Sequence, residues 1–360
     1  MRRTHRVVVF PGDGIGPEIV DAALDVLQVL EEVMGTFRLE LEFHRAGAAL
    51  YRETGEAILP EALEAFRRAR CAFKGPVGLP EVRRPDGTEA GLLGGILRVG
   101  FDLYANVRPI ALLPGVPGPL AGHAPASIDY VIVRENTEGL YLARGQGLVT
   151  RQAAADTLLL TAAGCERISR FAFNMALSRP TGAPADGRRR VTLVEKSNVL
   201  RSFVFFRRIF LEVASEFPEV EADCLYVDAA AAALVSRPQD FHVIVTENLF
   251  GDILSDLGAA TVGGLGLCAA ANVGEEAACF EPIHGSAPAI AGKGLANPLS
   301  QIRAAALMLD HLGEPQAAAR LESAVRCACG AGRIPFTGQG GVEGGPQAAA
   351  AAVKEALRTA

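Results

Sequence analysis

Three polar clusters in this sequence carry residue types that can do chemistry, and each follows a short apolar run of strand-forming residues. Val133 leads into Arg134-Glu135-Asn136-Thr137-Glu138-Gly139-Leu140-Tyr141, and Val194 into Glu195-Lys196-Ser197-Asn198. Val245 leads into Thr246-Glu247-Asn248 and then Gly251-Asp252-Ile253-Leu254-Ser255-Asp256. In open α/β sheets ligands bind beyond the carboxyl ends of the strands. One such cluster alone reads equally well as a solvated loop tip; three together mark a site.

Asp252 and Asp256 stand four apart at the start of an expected helix, so both carboxylates share one face. A divalent cation between them would relieve their repulsion, and oxygen donors without histidine suit Mg²⁺ or Mn²⁺ rather than Zn²⁺. The competing explanation is that early acidic residues complement the helix dipole, which covers Asp252 better than Asp256. Asp228, following Tyr226-Val227, is a candidate third carboxylate. Arg98, Arg108 and Arg134 each carry a guanidinium fork that can hold a carboxylate through paired hydrogen bonds, so together they suit a di- or tricarboxylate. Arg98 could instead pair with Asp102 one turn on, and Arg108, before Pro109, could face solvent from an edge strand. Arg134, at the end of a buried strand, is the hardest to dismiss.

These residues need a frame. Val7 to Phe10 reads as a buried strand, Pro11-Gly12-Asp13-Gly14-Ile15-Gly16 as a tight loop, and Pro17 to Met34 as a helix stopped by Gly35. Further strands are expected at 131–133, 191–194 and 243–245, and helices at 153–177, 203–215 and 301–312. Strand and helix alternating in this way give an α/β protein with a largely parallel sheet. Pro/Gly-rich stretches at 113–122 and 178–187 read as surface loops. The Ala/Gly-rich stretch 338–352 leads to a short C-terminal helix. The G-x-G-x-G spacing at 12–16 lacks the step that seats a pyrophosphate on a helix N-terminus, so it is not a Rossmann fingerprint.

A chain of 360 residues that is 49% hydrophobic and 21% charged has the composition of a globular protein with a substantial core. Its formal net charge of -6 supplies no global field for nucleic acid or an acidic membrane surface. The longest apolar stretches are far short of a membrane span, and no signal peptide is discernible, so the expected location is cytoplasmic. Seven cysteines at irregular spacing, without a Cys-x-x-Cys pair, argue against a disulfide framework or structural zinc. Cys327 and Cys329 should point to different faces of a helix.

Taken together, the motifs resemble the β-decarboxylating dehydrogenases, the isocitrate and isopropylmalate dehydrogenase family. The resemblance rests on Pro-Gly-Asp-Gly-Ile-Gly-Pro-Glu (11–18), Asp-Leu-Tyr-Ala-Asn-Val-Arg-Pro (102–109) and Val-Arg-Glu-Asn-Thr-Glu-Gly-Leu-Tyr (133–141). Lys-Ser-Asn (196–198), Gly-Asp-Ile-Leu-Ser-Asp (251–256), Phe-Glu-Pro-Ile-His-Gly-Ser-Ala-Pro (280–288) and Gly-Lys-Gly-Leu-Ala-Asn-Pro (292–298) extend it. The motifs run in family order from residue 7 to about 312, and the tail after about residue 330 matches poorly.

The resemblance implies the family's two-domain α/β fold with a largely parallel central sheet: a large cofactor-binding domain from 1–102 plus 257–360, and a small domain, 103–256, with the metal site and dimer interface. It implies that Arg98, Arg108 and Arg134 hold the carboxylates of a malate-like hydroxy-dicarboxylate. Asp228, Asp252 and Asp256 would bind Mg²⁺ or Mn²⁺. Tyr141 and Lys196 would be the acid–base pair, with Lys196 and Asp228 reaching across from the second subunit of a homodimer with shared active sites. Near a metal and several arginines, Lys196 would have its charged form disfavoured and could accept the hydroxyl proton. The nicotinamide cofactor would lie along Glu281, His284, Gly285, Ser286, Ala287 and Ile290, with Asn297 near the adenine.

Subtype is set, by the same resemblance, in the helix before Arg98. Isocitrate enzymes carry a serine and an asparagine at the positions of Leu92 and Gly94. Leu92, Gly94 and Gly95 give an apolar, roomy lining suited to an alkyl or bulkier 3-substituent, as in isopropylmalate. Lys74-Gly75-Pro76 is similar to the isocitrate branch, and Pro114 to Leu120 to tartrate and D-malate enzymes. Ala289-Ile290 offers no basic group for a 2′-phosphate, which favours NAD. The expected activity is therefore NAD- and metal-dependent oxidative decarboxylation of a 3-substituted malate. D-malate or tartrate dehydrogenation is the alternative within the family, and a non-catalytic regulatory or ligand-binding homologue the alternative outside it.

Overall fold

The computed structural model describes residues 2–337 and 340–359. Gly338 and Gln339, at the start of the Gly-rich stretch, lie outside it. Twelve strands occur among the described residues: β1 (Arg3–Phe10), β2 (Phe37–Phe43), β3 (Cys71–Lys74), β4 (Ala105–Ala111), β5 (Asp129–Glu135), β6 (Leu148–Val149), β7 (Ala154–Ala155), β8 (Arg190–Glu195), β9 (Glu221–Tyr226), β10 (Val243–Thr246), β11 (Ala269–Val273) and β12 (Ala278–Pro282). The chain divides into two compact units, one of residues 1–101, 113–117 and 263–360, the other of 102–112 and 118–262.

In the first unit the strand order is β2-β1-β3-β12-β11, parallel except for the last pair. Val7 to Phe10 are almost wholly buried, as a strand covered on both faces must be. The helix Gly16–Met34 buries Ile19, Ala23, Val26, Leu27 and Leu30 of the stripe its spacing predicts but leaves its last member, Val33, exposed, and Gly35 closes it in the left-handed conformation at φ 65°. Truncating Leu30 to alanine there should cost about 2–5 kcal/mol.

The glycine loop serves packing. Gly12 has φ +82°, and a Cβ on it would sit 2.1 Å from the Pro76 carbonyl oxygen. That close approach lets the buried Asp13 carboxylate accept from the backbone N–H groups of Ala48 (2.7 Å), Ala49 (2.9 Å) and Gly78 (2.8 Å). The tail departs from expectation. Its terminal helix is not short but runs over Gly345–Thr359, because the alanine run is itself a strong helix former. It packs against Gly16–Met34 and Pro315–Gly330 and buries Val353 and Leu357 completely.

In the second unit the order is β4-β5-β10-β8-β9, with only the β4–β5 pair antiparallel. The three expected strands are present, β5 longer by two residues at each end, β8 by one at each end and β10 by one at its end. The helix expected at 153–177 begins instead at Ala162 and ends at Ser178, because the Thr161 side chain caps it by accepting from Gly164 N. Residues 148–155, read from sequence as partly helical, form the β6–β7 hairpin instead. The helices Arg201–Ala214 and, in the first unit, Leu299–His311 lie within two residues of their expected bounds.

All seven cysteines are free; Cys329 is buried and Cys327 exposed, on opposite sides of their helix. Burial pushes the Cys279 and Cys329 thiols up to about 12, which leaves them unreactive. Among the described residues no helix is long and apolar enough to cross a membrane.

Candidate active site

The antiparallel pairing of β4 with β5 and the parallel pairing of β5 with β10 deliver Arg108 and Arg134 beside the helix that follows β10, Asn248–Thr261. Glu247 caps that helix, its carboxylate accepting from Leu249 N at 3.0 Å and Phe250 N at 2.7 Å. Burial pushes the Glu247 carboxyl up, opposed by those two hydrogen bonds. The dipole-complementing role offered for Asp252 therefore belongs to Glu247, and Asp252 is engaged elsewhere.

Arg134 is the largest fully buried side chain of this unit. Its Nε and one terminal nitrogen both donate to Asn248 Oδ1, at 2.9 and 2.7 Å, and its other terminal nitrogen donates to Asp252 Oδ1. Gly251 makes room: a Cβ there would lie 2.6 Å from the Arg134 stem. Arg108 is equally enclosed and not the solvent-facing residue its place before Pro109 allowed. It donates to Asn106 Oδ1 and Ser255 Oγ, each at 2.6 Å, and its guanidinium lies 3.5 Å from Asp252 and 3.7 Å from Asp256. Partial burial raises the Asp256 carboxyl, as does the Asp252 charge, while Arg108 opposes both.

Tyr141 joins this group from the short helical turn Leu140–Ala143. Its phenol donates to Asp252 Oδ2 at 3.0 Å, and the Arg134 guanidinium lies 5.6 Å from the ring centre. Burial and the facing Asp252 carboxylate push the phenol above its usual value. Arg108, Arg134, Asp252, Asp256 and Tyr141 thus form one cluster of two buried cations, two partly exposed carboxylates and one phenol.

Lys196 and Asp228 form a second pair. Lys196 follows β8 and Asp228 follows β9, and these adjacent strands bring the ammonium onto the carboxylate. The lysine holds the Asp228 carboxyl below its usual range. Within one chain the charged partner of Lys196 is this carboxylate. Among the described residues no three acidic, histidine or cysteine side chains converge as a metal cage. Asp252 and Asp256 supply a hard-oxygen pair that fits half of a Mg²⁺ or Mn²⁺ site, and Asp228 does not complete it within the chain.

In the first unit Arg98 sits on a π-helical turn, Gly94–Val99, and donates to Glu281 Oε1 at 2.9 Å. Asp102, the partner its spacing offered for Arg98, accepts from Arg167 at 2.7 and 2.9 Å. Gly95 is exposed, with Leu92 and Gly94 partly so. Glu281 is buried among Lys74 (2.6 Å), Arg98 and Asn272 (2.7 Å). Burial acts to raise its carboxyl, but the two cations win and hold it well below the carboxylate range.

Ser286 ties the following loop down by donating to Gly78 O, and its own carbonyl accepts from Ile15 N at 2.8 Å. Ala287 is left-handed at φ 39°, while Gly285 has open space where a side chain would go. Such a glycine leaves the backbone accessible to a flat or phosphorylated ligand. The half-buried His284 donates from Nδ1 to the Gly285 carbonyl at 2.9 Å, and burial lowers its ring pKa. Ile290 is half-buried. Asn297 donates to Gly340 O (3.1 Å) and accepts from Leu299 N (3.0 Å), joining the loop to the tail. Sequence reasoning missed Asn106, Asn248, Ser255 and Lys74. Asn248 and Ser255 stood inside the quoted clusters, but only the third dimension shows them as holders of the arginines.

The sequence matches the isocitrate/isopropylmalate dehydrogenase family over residues 6–335. It is 44% identical over 332 residues to a 3-isopropylmalate dehydrogenase of Thermobifida fusca, covering 90% of each chain. It is 44% identical over 327 residues to one of Methanothermobacter thermautotrophicus, again 90% of each. A probable tartrate dehydrogenase/decarboxylase of Agrobacterium vitis is 41% identical over 331 residues, 90% of this chain and 88% of that one. Among solved structures, isocitrate dehydrogenase from Methylococcus capsulatus superposes with a TM-score of 0.86 at 40% identity, covering 98% of this chain and 99% of that one. The chain belongs to the isocitrate/isopropylmalate dehydrogenase family. It is an oxidoreductase of that family, with the family's mixed α/β fold.

Proposed function

We propose that this enzyme carries out NAD- and divalent-metal-dependent oxidative decarboxylation of a 3-substituted, isopropylmalate-like malate to a 2-oxo acid, as a homodimer with shared active sites. The observation that carries the reading is the Arg108–Arg134–Asp252–Asp256–Tyr141 cluster. It joins two buried guanidiniums, an oxygen-donor pair and a phenol within a few ångströms, between neighbouring strands and the helix that follows β10.

Arg108 and Arg134 are held by Asn106, Ser255 and Asn248, so their forks are fixed before a carboxylate arrives. Arg98 is the proposed third guanidinium. Asp252 and Asp256 would hold the metal, with Asp228 supplied by the partner chain. When bound, the metal would polarise the substrate's C2 oxygen and stabilise charge as CO₂ departs, and NAD would take up the hydride from C2. Lys196, also from the partner, takes the hydroxyl proton on Nζ. The Tyr141 phenol then delivers a proton to C3, where the enol must be quenched, and the Asp252 contact aims that phenol. Glu281, His284, Gly285, Ser286, Ala287, Ile290 and Asn297 are proposed as the cofactor segment, with Leu92, Gly94 and Gly95 lining the 3-substituent.

A tartrate-named relative and the segment Pro114 to Leu120 favour a second reading, D-malate or tartrate as substrate. The test is kcat/KM with isopropylmalate, D-malate, tartrate and isocitrate, with NAD⁺ and NADP⁺ compared. An isopropylmalate preference supports the proposal, and a D-malate or tartrate preference replaces it with the second reading.

A further inference from the structure

We infer that Asp13 is a positioning residue for cofactor binding: through the Gly78 peptide it holds Ser286, and with it the exposed backbone of Gly285 and Ala287, in the conformation that receives NAD. The inference rests on the proposed cofactor segment. It starts in the glycine loop. Gly14 has φ +58°, and a Cβ on it would lie 2.1 Å from the Ser286 carbonyl oxygen, as one on Gly12 would from Pro76 O. Backbone without a Cβ at both positions can come this close to two other segments at once. Asp13, flanked by the two glycines, is 3% exposed, and its own N–H donates to Pro76 O at 2.8 Å.

The hydrogen bonds close a ring. Asp13 Oδ2 accepts from Gly78 N at 2.8 Å, the Gly78 carbonyl accepts from the Ser286 hydroxyl, and the Ser286 carbonyl accepts from Ile15 N at 2.8 Å. Gly16 N then returns to Asp13 O at 2.8 Å. The carboxylate's other bonds, from Ala48 N and Ala49 N, fix Asp13 against the start of the helix Ala48–Thr54. The Ser286 side chain is thereby engaged by the protein, whereas Gly285 and Ala287 on either side of it are exposed.

What the ring holds is strained. Ala287 has φ 39° and ψ 55°, the left-handed region that a residue with a Cβ adopts only at a cost. Such backbone persists where its surroundings over-determine it, and it is concentrated at binding and catalytic sites. Both bonds of Ser286 act on the residue immediately before the strained one. Without the bond to Gly78 the segment can relax, and each binding event must then order it again, which lowers affinity.

Calorimetric NAD⁺ affinity and amide hydrogen exchange of the peptide 280–290, both on the full-length enzyme, test this. Asp13→Ala should weaken NAD⁺ binding about ten-fold and leave KM for the hydroxy acid, at saturating NAD⁺, within about two-fold. It should also speed exchange in that peptide before any NAD⁺ is added. Ser286→Ala should do the same, and the double variant should bind no more weakly than either single one, because both cut one chain of bonds. Independent effects would instead multiply, to about a hundred-fold. Should Asp13→Ala fail to fold, Gly78→Ala carries the same comparison: at φ +111° the added Cβ strains the linking peptide and leaves the carboxylate in place. The inference is overturned if affinity or exchange is unmoved, or if the two substitutions multiply. Gly285→Val separates it from the reading beneath it, since a Cβ there meets nothing within 4 Å and obstructs only a ligand. Unchanged affinity in Gly285→Val sinks the cofactor segment and the inference with it. Weakened affinity there, with Asp13→Ala binding as wild type, sinks the inference alone.

Discussion

The Tyr141 phenol and the Asp252 carboxylate are hydrogen-bonded at 3.0 Å, and the other oxygen of that carboxylate takes the Arg134 guanidinium. One aspartate thereby aligns the proposed acid with one of the proposed substrate-binding arginines, and burial together with the charge it faces raises the Tyr141 phenol. Tyr141→Phe should lower kcat about 10²–10³-fold with little change in KM. The raised phenol pKa sets the sign of the pH effect. The acid works in its protonated form, so activity dependent on it is lost only as pH rises past the usual phenol value of about ten. A basic limb near neutrality that disappears in Tyr141→Phe would contradict this.

Arg134→Lys keeps a charge and removes the fork. The two donations to Asn248 and the one to Asp252 cannot all be made by an ammonium. KM for the hydroxy acid should rise about 10–100-fold. Stability should fall by about 1–3 kcal/mol, moderated because Asp252 is partly open to solvent. Kinetics and urea titration of the same preparation check both.

How far this was legible in the sequence differs between strands and site. Val131–Val133, Val191–Val194 and Val243–Val245 announced themselves because buried parallel strands read as unbroken β-branched runs. The helix before Ser178 was placed nine residues too early, since Thr161 acts through a cap and the preceding apolar residues belong to a hairpin. Arg134 and Asp252 were recognisable by type. Their joining through Asn248 depends on β10 lying beside β5, a pairing across more than a hundred residues that no local pattern records. The Lys74–Glu281 pair was hidden for the same reason: each residue sat in a quoted motif, and only the β3–β12 register makes them neighbours.

His242 gives a stability prediction away from the site. It is fully buried, its Nδ1 accepts from Arg190 N at 3.2 Å, and burial holds its pKa down to about 4. An unfolded histidine titrates near 6.5, so between about pH 6.5 and 4 the unfolded chain binds the extra proton. Stability contributed by this residue is therefore complete above about pH 6.5 and is lost as pH falls toward 4, by roughly 1–3 kcal/mol. His242→Asn, which keeps an acceptor for Arg190 N, should flatten that part of the profile in thermal melts. An unchanged slope would place the acid sensitivity in other groups.

Shared active sites predict complementation. Lys196→Ala and Asp252→Asn chains should each be nearly inactive alone. Unfolded and refolded together at equal concentration, they should regain about a quarter of wild-type activity, because half the dimers are mixed and each mixed dimer holds one intact site. Recovery near zero would mean that each chain builds its own complete site.

The central claim is tested most directly by following NADH formation from NAD⁺ and isopropylmalate in the presence of Mn²⁺, with and without a chelator. The account predicts NADH and CO₂ in equal amounts, activity abolished by chelator and restored by Mn²⁺ or Mg²⁺, and little turnover of isocitrate. Turnover that survives complete removal of divalent metal, or NADH formed without CO₂, would contradict it.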